Sequence, residues 1–513
     1  MPQRRSLDVA SRFSFVPRTA AERRRTPSLV DVAIDPAQRE AIDLPSGNAL
    51  LVLGEAGHGK TTVLLHRVAR LWRAANGSGR SMRAAVIVPT DGLVRLIQPL
   101  LRRLGVDVEV STIDRFVAKQ ARQAFRRLPR ESELTPPSVM RLKRSPAVRL
   151  ALAELAGRDP GVIDDDADAP ARRPRRLSAR VSRGDLQHLF GDRALMERVA
   201  SEGSLPPSVV DDVLDRTRVQ FTETAEREWA HVTDRERLLA VDQRSLDDGT
   251  STGHASTVDV EDYAVLFELE RMRAARRDEA PIAPRAFDLV AIDEAQELAP
   301  LELALIGRSL TADGTLVVSG DAEQHTGETS TFLGWDAVMH ELGVGEHTTM
   351  TLEIGYRCPE EVVTLARGVR DGLFPAARNE TFENEQSLVR ELGRAARALL
   401  DHDRTASIAL ICRHPSTVRR IAALLQSEEV PTRVVFDGRF LPRGPVQVSM
   451  TSEVKGLEFD YVVVPDASAG DWRDDAASRR ALYVAITRAR RQVLFGCSGM
   501  PTPLLASPLS IPS

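Results

Sequence analysis

The sequence predicts an α/β chain with two parallel β-sheets, each covered by helices on both faces, and a helical insertion in the first. Short, continuously apolar runs recur along the chain, each closed by Gly, Pro or Asp and followed by a stretch with helical spacing. Strands that are apolar on both sides belong to parallel sheets buried between helices. A long segment between Phe116 and Ala286 keeps the helical spacing but loses the strands, which sets it apart as an insertion.

Residues 1–33 are Arg-rich and polar apart from a short apolar patch at 13–16, and are expected to form a frayed or loosely docked arm. Strand-like runs at 49–54, 84–89 and 108–113 build the first half of a sheet, and those at 287–293 and 315–321 complete it. The first α/β domain is therefore assigned to 34–116 and 286–350, and the helical insertion to 117–285. The insertion holds an acidic run at 164–168, a basic run at 172–183 and prolines at 160, 170 and 174, which predict one mobile loop. Runs at 407–413, 432–436, 446–451, 461–465 and 492–497 define a second α/β domain over 351–500. The Pro/Ser-rich tail, 501–513, is expected to be disordered.

Composition excludes several classes. A chain of 513 residues with 42% hydrophobic and 28% charged residues has an ordinary soluble composition and is long enough for several buried cores. It has neither an apolar run of membrane-spanning length nor a secretory leader, so a cytoplasmic location and no membrane partner are expected. Cys358, Cys412 and Cys497 lie far apart without metal-ligand spacing, and read as free thiols. The net charge of −4 does not argue for a nucleic-acid partner, but a basic groove alone would suffice for one. Among 69 basic residues only Lys60, Lys119, Lys143 and Lys455 are lysines, and two of these fall within the motifs below, at positions that want an ammonium.

The sharpest motif is Gly54-Glu55-Ala56-Gly57-His58-Gly59-Lys60-Thr61-Thr62, directly after a strand and opening a helix. Glycines at 54, 57 and 59 let backbone N–H groups converge on phosphate oxygens at the positive end of the helix. Lys60 would reach the β- and γ-phosphates of ATP, and the Thr61 hydroxyl would ligate Mg²⁺, with Thr62 beside them. His58 occupies a variable position of this pattern and is assigned nothing. The second motif is Asp293-Glu294-Ala295-Gln296 at the end of an apolar strand. Asp293 would hold Mg²⁺ and Glu294 would polarise the attacking water.

Through these motifs the chain resembles the UvrD/Rep-type superfamily 1 helicases, and further segments follow in family order. That resemblance implies two RecA-like P-loop NTPase domains with ATP and Mg²⁺ bound between them. Gln38, in Ile34-Asp35-Pro36-Ala37-Gln38, matches the residue that reads adenine. Gln324, in Ser319-Gly320-Asp321-Ala322-Glu323-Gln324, matches the γ-phosphate sensor. Tyr356 and Arg357 match an adenine-stacking tyrosine and a γ-phosphate arginine. Glu458, in Lys455-Gly456-Leu457-Glu458-Phe459-Asp460, matches the ribose-holding glutamate, and Arg488, in Thr487-Arg488-Ala489, a second arginine finger. An arginine supplied in this way can be worth about 10³–10⁵ in turnover.

The segments Pro89-Thr90-Asp91-Gly92 and Val110-Ser111-Thr112-Ile113-Asp114, with Trp335 after the sensor, are more similar to the helicase IV/HelD-like branch. Strands and helices fill the stretch between Arg357 and Thr451, leaving no room for the large accessory domain that UvrD-type enzymes insert there. The resemblance implies an ATP-dependent motor moving 3′→5′ along single-stranded nucleic acid, taken first to be DNA, with Thr112, Phe116, Phe332 and Trp335 as candidate contacts. Two alternatives stand beside it. One is a remodelling factor that displaces RNA polymerase or another protein, with the helical insertion as partner arm. The other is the motor subunit of a nuclease-containing repair or defence complex.

Overall fold

A computed structural model describes residues 12–19, 22, 29–79, 81–125, 128–132, 134–157, 180–221, 255–327, 329–355, 358–436, 438–441 and 443–505. In chain order its strands are β1 (Ala49–Leu53), β2 (Ala84–Val88), β3 (Glu109–Thr112), β4 (Arg130–Glu131), β5 (Thr257–Val258), β6 (Phe287–Ile292), β7 (Leu310–Gly320), β8 (His347–Thr351), β9 (Asn379–Phe382), β10 (Ile408–Cys412), β11 (Thr432–Val434), β12 (Val446–Met450), β13 (Phe459–Val464) and β14 (Ala489–Ser498). They form a six-stranded sheet ordered β3-β2-β6-β7-β1-β8, a second six-stranded sheet ordered β11-β12-β10-β13-β14-β9, and a two-stranded β4-β5 pair. All of these pairings are parallel.

The apolar runs account for this arrangement. β2 and β10 are buried at every position, as strands covered on both faces must be. In the first sheet the order β6-β7-β1 is decisive, because it sets the carboxyl ends of these strands side by side. In-register pairing aligns Leu53 with Gly320 and Ile292 with Val318. In such sheets the crevice outside the carboxyl ends is where ligands bind.

Three expectations change. The short pairs β4-β5 and the edge strands β8 and β9 were not legible, being polar or only two residues long. The arm is not loose where it is described: Phe13 stacks on Phe382 at 5.5 Å, and Phe15 meets Tyr461 edge-on at 5.3 Å. Arg18 closes ion pairs with Asp403 at 2.7 Å and Asp460 at 3.2 Å, so 12–19 is docked on the second sheet. In the tail, Leu504 and Leu505 are buried, whereas 506–513 lie outside the described residues.

The insertion contains helices Pro137–Lys143, Val148–Ala156, Arg183–Gly191, Arg193–Glu202, Ser208–Phe221 and Glu261–Arg276. A buried charge network holds it. Lys143 pairs with Asp259 at 2.9 Å and Asp262 at 2.7 Å, and Arg216 with Asp259 at 2.7 Å. Arg144 pairs with Glu302 at 2.7 Å, fastening the insertion to helix Pro300–Arg308 of the first sheet. The acidic run and most of the basic run lie outside the described residues, but Arg180 pairs with Glu270 and Arg183 stacks on Phe221. The described end of the basic run is therefore committed within the protein. Among the described residues no helix is long and apolar enough to cross a membrane.

The two sheets meet through close backbone contact. Gly438 has φ +64°, and a Cβ there would lie 2.6 Å from the Gly92 backbone nitrogen. Leu93 and Leu457 join one continuous apolar core spanning the two halves.

Candidate active site

The loop after β1 is shaped by glycine. Gly59 takes the left-handed conformation, φ +88°, as the residue that opens helix Lys60–Gly77, and a Cβ there would lie 2.5 Å from Gln38 Nε2. The loop therefore presents backbone N–H groups at the positive end of a helix, the arrangement that binds phosphate. Lys60 Nζ donates to the carbonyls of Gly54 at 2.7 Å and Glu55 at 3.1 Å, across the mouth of this loop.

Asp293 follows β6 and is fully buried. Its carboxylate accepts from Thr61 Oγ1 at 2.7 Å and from Ser319 Oγ at 2.7 Å. Burial first, and then the negative charge of Glu294, raise the Asp293 carboxyl above its ordinary range, which is the electrostatic situation that a bound cation relieves. Thr61 and Asp293 are hard oxygen donors within hydrogen-bond reach of each other, so they fit Mg²⁺ completed by phosphate oxygens and water. Among the described residues no group of three His, Cys, Asp or Glu could hold a metal unaided.

Glu294 has the left-handed backbone conformation, φ 55°, uncommon outside glycine. Its carboxylate accepts from Gln296 Nε2 at 2.6 Å. Gln296 Oε1 in turn accepts from the backbone N–H of Asp321 at 3.1 Å, and Asp321 Oδ2 from Gln324 Nε2 at 2.8 Å. Gln324 Oε1 accepts from the Arg488 guanidinium at 2.6 Å. Arg488 belongs to the second sheet's half and is 3% exposed, so a guanidinium from that half reaches the carboxyl end of the first sheet.

Other contacts cross the same cleft. Lys455 Nζ donates to Glu297 Oε2 at 2.8 Å and to Thr326 Oγ1 at 2.9 Å. Glu55, in the phosphate loop, pairs with Arg367 at 2.7 Å and Arg370 at 3.1 Å. A cavity of about 380 Å³ opens beside them, lined by Gly54, Glu55, His58, Asp321, Trp335 and Leu352 among others.

The expected site residues divide accordingly. Gly54, Gly57, Gly59, Lys60, Thr61, Asp293, Glu294, Gln324 and Arg488 converge on one end of the first sheet. Thr62 does not offer its hydroxyl to that end, because it is buried and donates to the Leu29 carbonyl at 3.1 Å. Gln38 lies against the loop with its amide engaged: Oε1 accepts from Asp35 N at 3.3 Å and Nε2 donates to the His58 carbonyl at 3.3 Å. Reading a base would require exchanging those bonds. Glu458 pairs with Arg490 at 2.8 Å. Tyr356 and Arg357 lie outside the described residues.

Of the candidate nucleic-acid contacts, Phe116 is a correction: it is 1% exposed and packs against Phe287 at 5.7 Å, because its helix faces the sheet. Thr112 is also corrected: it is buried, and its hydroxyl caps helix Ile113–Ala124 by accepting from Arg115 N at 3.3 Å. Phe332 and Trp335 are half-buried and meet edge to face at 5.0 Å.

Sequence reading passed over three participants. His58 Nδ1 donates to the Leu352 carbonyl at 2.6 Å, tying the phosphate loop to the chain after β8. Nothing in the sequence marks that contact. Glu55 lies in the phosphate loop and Gln296 in the acidic motif, and only their spatial neighbours reveal a role.

Two family descriptions match. The AAA domain covers residues 38–329, more than half the chain, and the UvrD-like helicase C-terminal domain covers 448–495. No curated protein matches. Among solved structures, the C-terminal domain of a possible DNA helicase from Lactobacillus plantarum WCFS1 is similar to 30% of this chain and 93% of its own, at 22% identity and a TM-score of 0.25. With its parallel sheets flanked by helices and its phosphate loop, the chain belongs to the UvrD-like superfamily 1 helicases.

Proposed function

We propose that the protein is an ATP- and Mg²⁺-dependent motor that moves along single-stranded nucleic acid, DNA in the first instance, with the 3′→5′ polarity its family resemblance implies. The observation that carries this reading is the cross-cleft bond from Arg488 to Gln324, one hydrogen-bonded step from Asp321 and within the same cluster as Glu294. Hydrolysis linked to a guanidinium from the opposite half makes cleft closure depend on the γ-phosphate, which is how turnover becomes relative motion of two bodies.

In this reading Lys60 and the loop N–H groups would hold the phosphates, and Thr61 with Asp293 would hold Mg²⁺, which would neutralise phosphate charge when bound. Glu294 orients the attacking water and accepts its proton, while Gln324 and Arg488 face the γ-phosphate. Phe332 and Trp335 are the remaining aromatic candidates for a single strand. Residues 34–350 outside the insertion form the first motor domain and 351–500 the second.

The test separates binding from chemistry. Glu294→Gln is expected to retain binding of a fluorescent ATP analogue while suppressing hydrolysis, and Lys60→Ala to weaken both. Parental turnover by Glu294→Gln would refute its assignment as the base.

A further inference from the structure

Gln296 closes the acidic motif, and its surroundings give it a role of its own. Its side chain is 1% exposed and both ends of the amide are fixed. Oε1 accepts from the Asp321 backbone N–H at 3.1 Å, a partner that can only donate. That sets the amide's orientation and leaves Nε2 to donate to Glu294 Oε2, at 2.6 Å. The amide cannot drift away, because Gly320 packs against it: a Cβ at 320 would lie 2.4 Å from Gln296 Oε1 and 2.3 Å from the Trp335 ring.

Glu294 needs such a partner. Its backbone is left-handed, its own N–H donates to Asp293 Oδ1 at 3.2 Å, and its carbonyl accepts from Glu297 N at 3.0 Å, so the amide of Gln296 is what holds the carboxylate. On the far side the chain of bonds continues through Asp321 Oδ2 and Gln324 Nε2 at 2.8 Å to Gln324 Oε1 and Arg488 at 2.6 Å. Each link is directional: amide donor to carboxylate, backbone donor to amide oxygen, amide donor to carboxylate, guanidinium donor to amide oxygen.

We propose that Gln296 is a positioning residue for ATP hydrolysis: its amide fixes the carboxylate of Glu294 and joins it, through Asp321 and Gln324, to Arg488 of the opposite half. This deepens the hydrolytic reading and rests on Glu294 being the base. Arrival of Arg488 at Gln324 and correct aim of Glu294 are then parts of one hydrogen-bonded unit.

The experiment uses the full chain and compares Gln296→Met, isosteric without either hydrogen bond, and Gln296→Glu, which keeps the acceptor and loses the donor. Single-turnover ATP hydrolysis and affinity for a fluorescent ATP analogue are measured for each, alone and combined with Glu294→Gln. Both variants are expected to lose on the order of 10- to 100-fold in rate with nucleotide affinity held within about threefold. Added to Glu294→Gln, Gln296→Met is expected to cost less than about threefold more, since both act through one carboxylate. Three results would overturn the proposal. The first is a near-parental rate for Gln296→Met while Glu294→Gln is inactive, which leaves the base assignment standing. The second is independent, multiplying losses in the double variant. The third is full loss in Gln296→Met while Glu294→Gln turns over normally, which removes the base assignment as well.

Discussion

Replacing Lys455 with methionine removes the counter-charge from a buried carboxylate that spans the cleft. The side chains of Lys455 and Glu297 are 10% and 8% exposed and meet at 2.8 Å. Without the ammonium, Glu297 Oε2 loses its charged partner, and Oε1 has no hydrogen bond among the described residues. The nearest substitute is His325 Nδ1 at 3.9 Å, but burial lowers the affinity of that imidazole for a proton. Leaving one member of a buried pair uncompensated costs about 3–5 kcal/mol. The lower end, about 3 kcal/mol, corresponds to roughly a 150-fold larger opening constant for the cleft. Hydrogen exchange of the amides in 293–297 and 451–457 reads that constant directly. Lys455→Met should lose protection there by roughly that factor, whereas Lys455→Met with Glu297→Gln should return to within about tenfold of the parent, because no unpaired charge remains. A single variant with less than about a fivefold effect, or a double variant no better than the single, would refute the reasoning.

Gly320→Ala should force the Trp335 ring or the Gln296 amide aside, costing about 1–3 kcal/mol and slowing turnover. Adding Trp335→Ala should restore thermal stability but not the rate, since the amide contact persists, and recovery of both would refute the role of that contact. Phe116→Ala should lower stability by about 3–5 kcal/mol as a core truncation, whereas Phe332→Ala, which removes a half-buried ring, should cost clearly less and weaken single-strand affinity. Calorimetry and fluorescence anisotropy separate the two. Glu261 is fully buried in the insertion, and burial, followed by the charge of Asp114, pushes its carboxyl from 4.5 to about 8. The folded chain thus holds that proton more tightly than the unfolded chain. The stabilisation is complete below about pH 4.5 and disappears as the pH rises through about 8. The thermal midpoint should fall over this window, with a smaller slope in Glu261→Gln, and an unchanged slope would contradict the assignment.

Strands with uninterrupted apolar character, such as β2 and β10, were legible because burial on both faces leaves no other composition. β8 was not: His347–Thr351 is polar, and its pairing with β1 supplies what its own side chains do not announce. The phosphate loop and acidic pair were legible as local patterns at strand ends. The contacts that join the halves were not, because Glu55 with Arg370, Lys455 with Glu297, and His58 with Leu352 are distant in sequence and meet only after folding. Phe116 illustrates the opposite error, since an aromatic near a motif carries no mark of which way its helix faces. The arm was misjudged through composition: its arginines suggested solvent, but Arg18 finds two buried carboxylates and the phenylalanines pack on aromatic rings of the second sheet.

The most direct test of the motor reading is steady-state ATP hydrolysis without nucleic acid, with single-stranded DNA and with single-stranded RNA, each at low and moderate salt, with Lys60→Ala as the blank. Turnover should rise severalfold or more with one type of strand and the stimulation should fade as salt increases, because phosphate contacts release counterions. Turnover indifferent to both strands would contradict a nucleic-acid motor, leaving an ATPase whose cleft answers to something else.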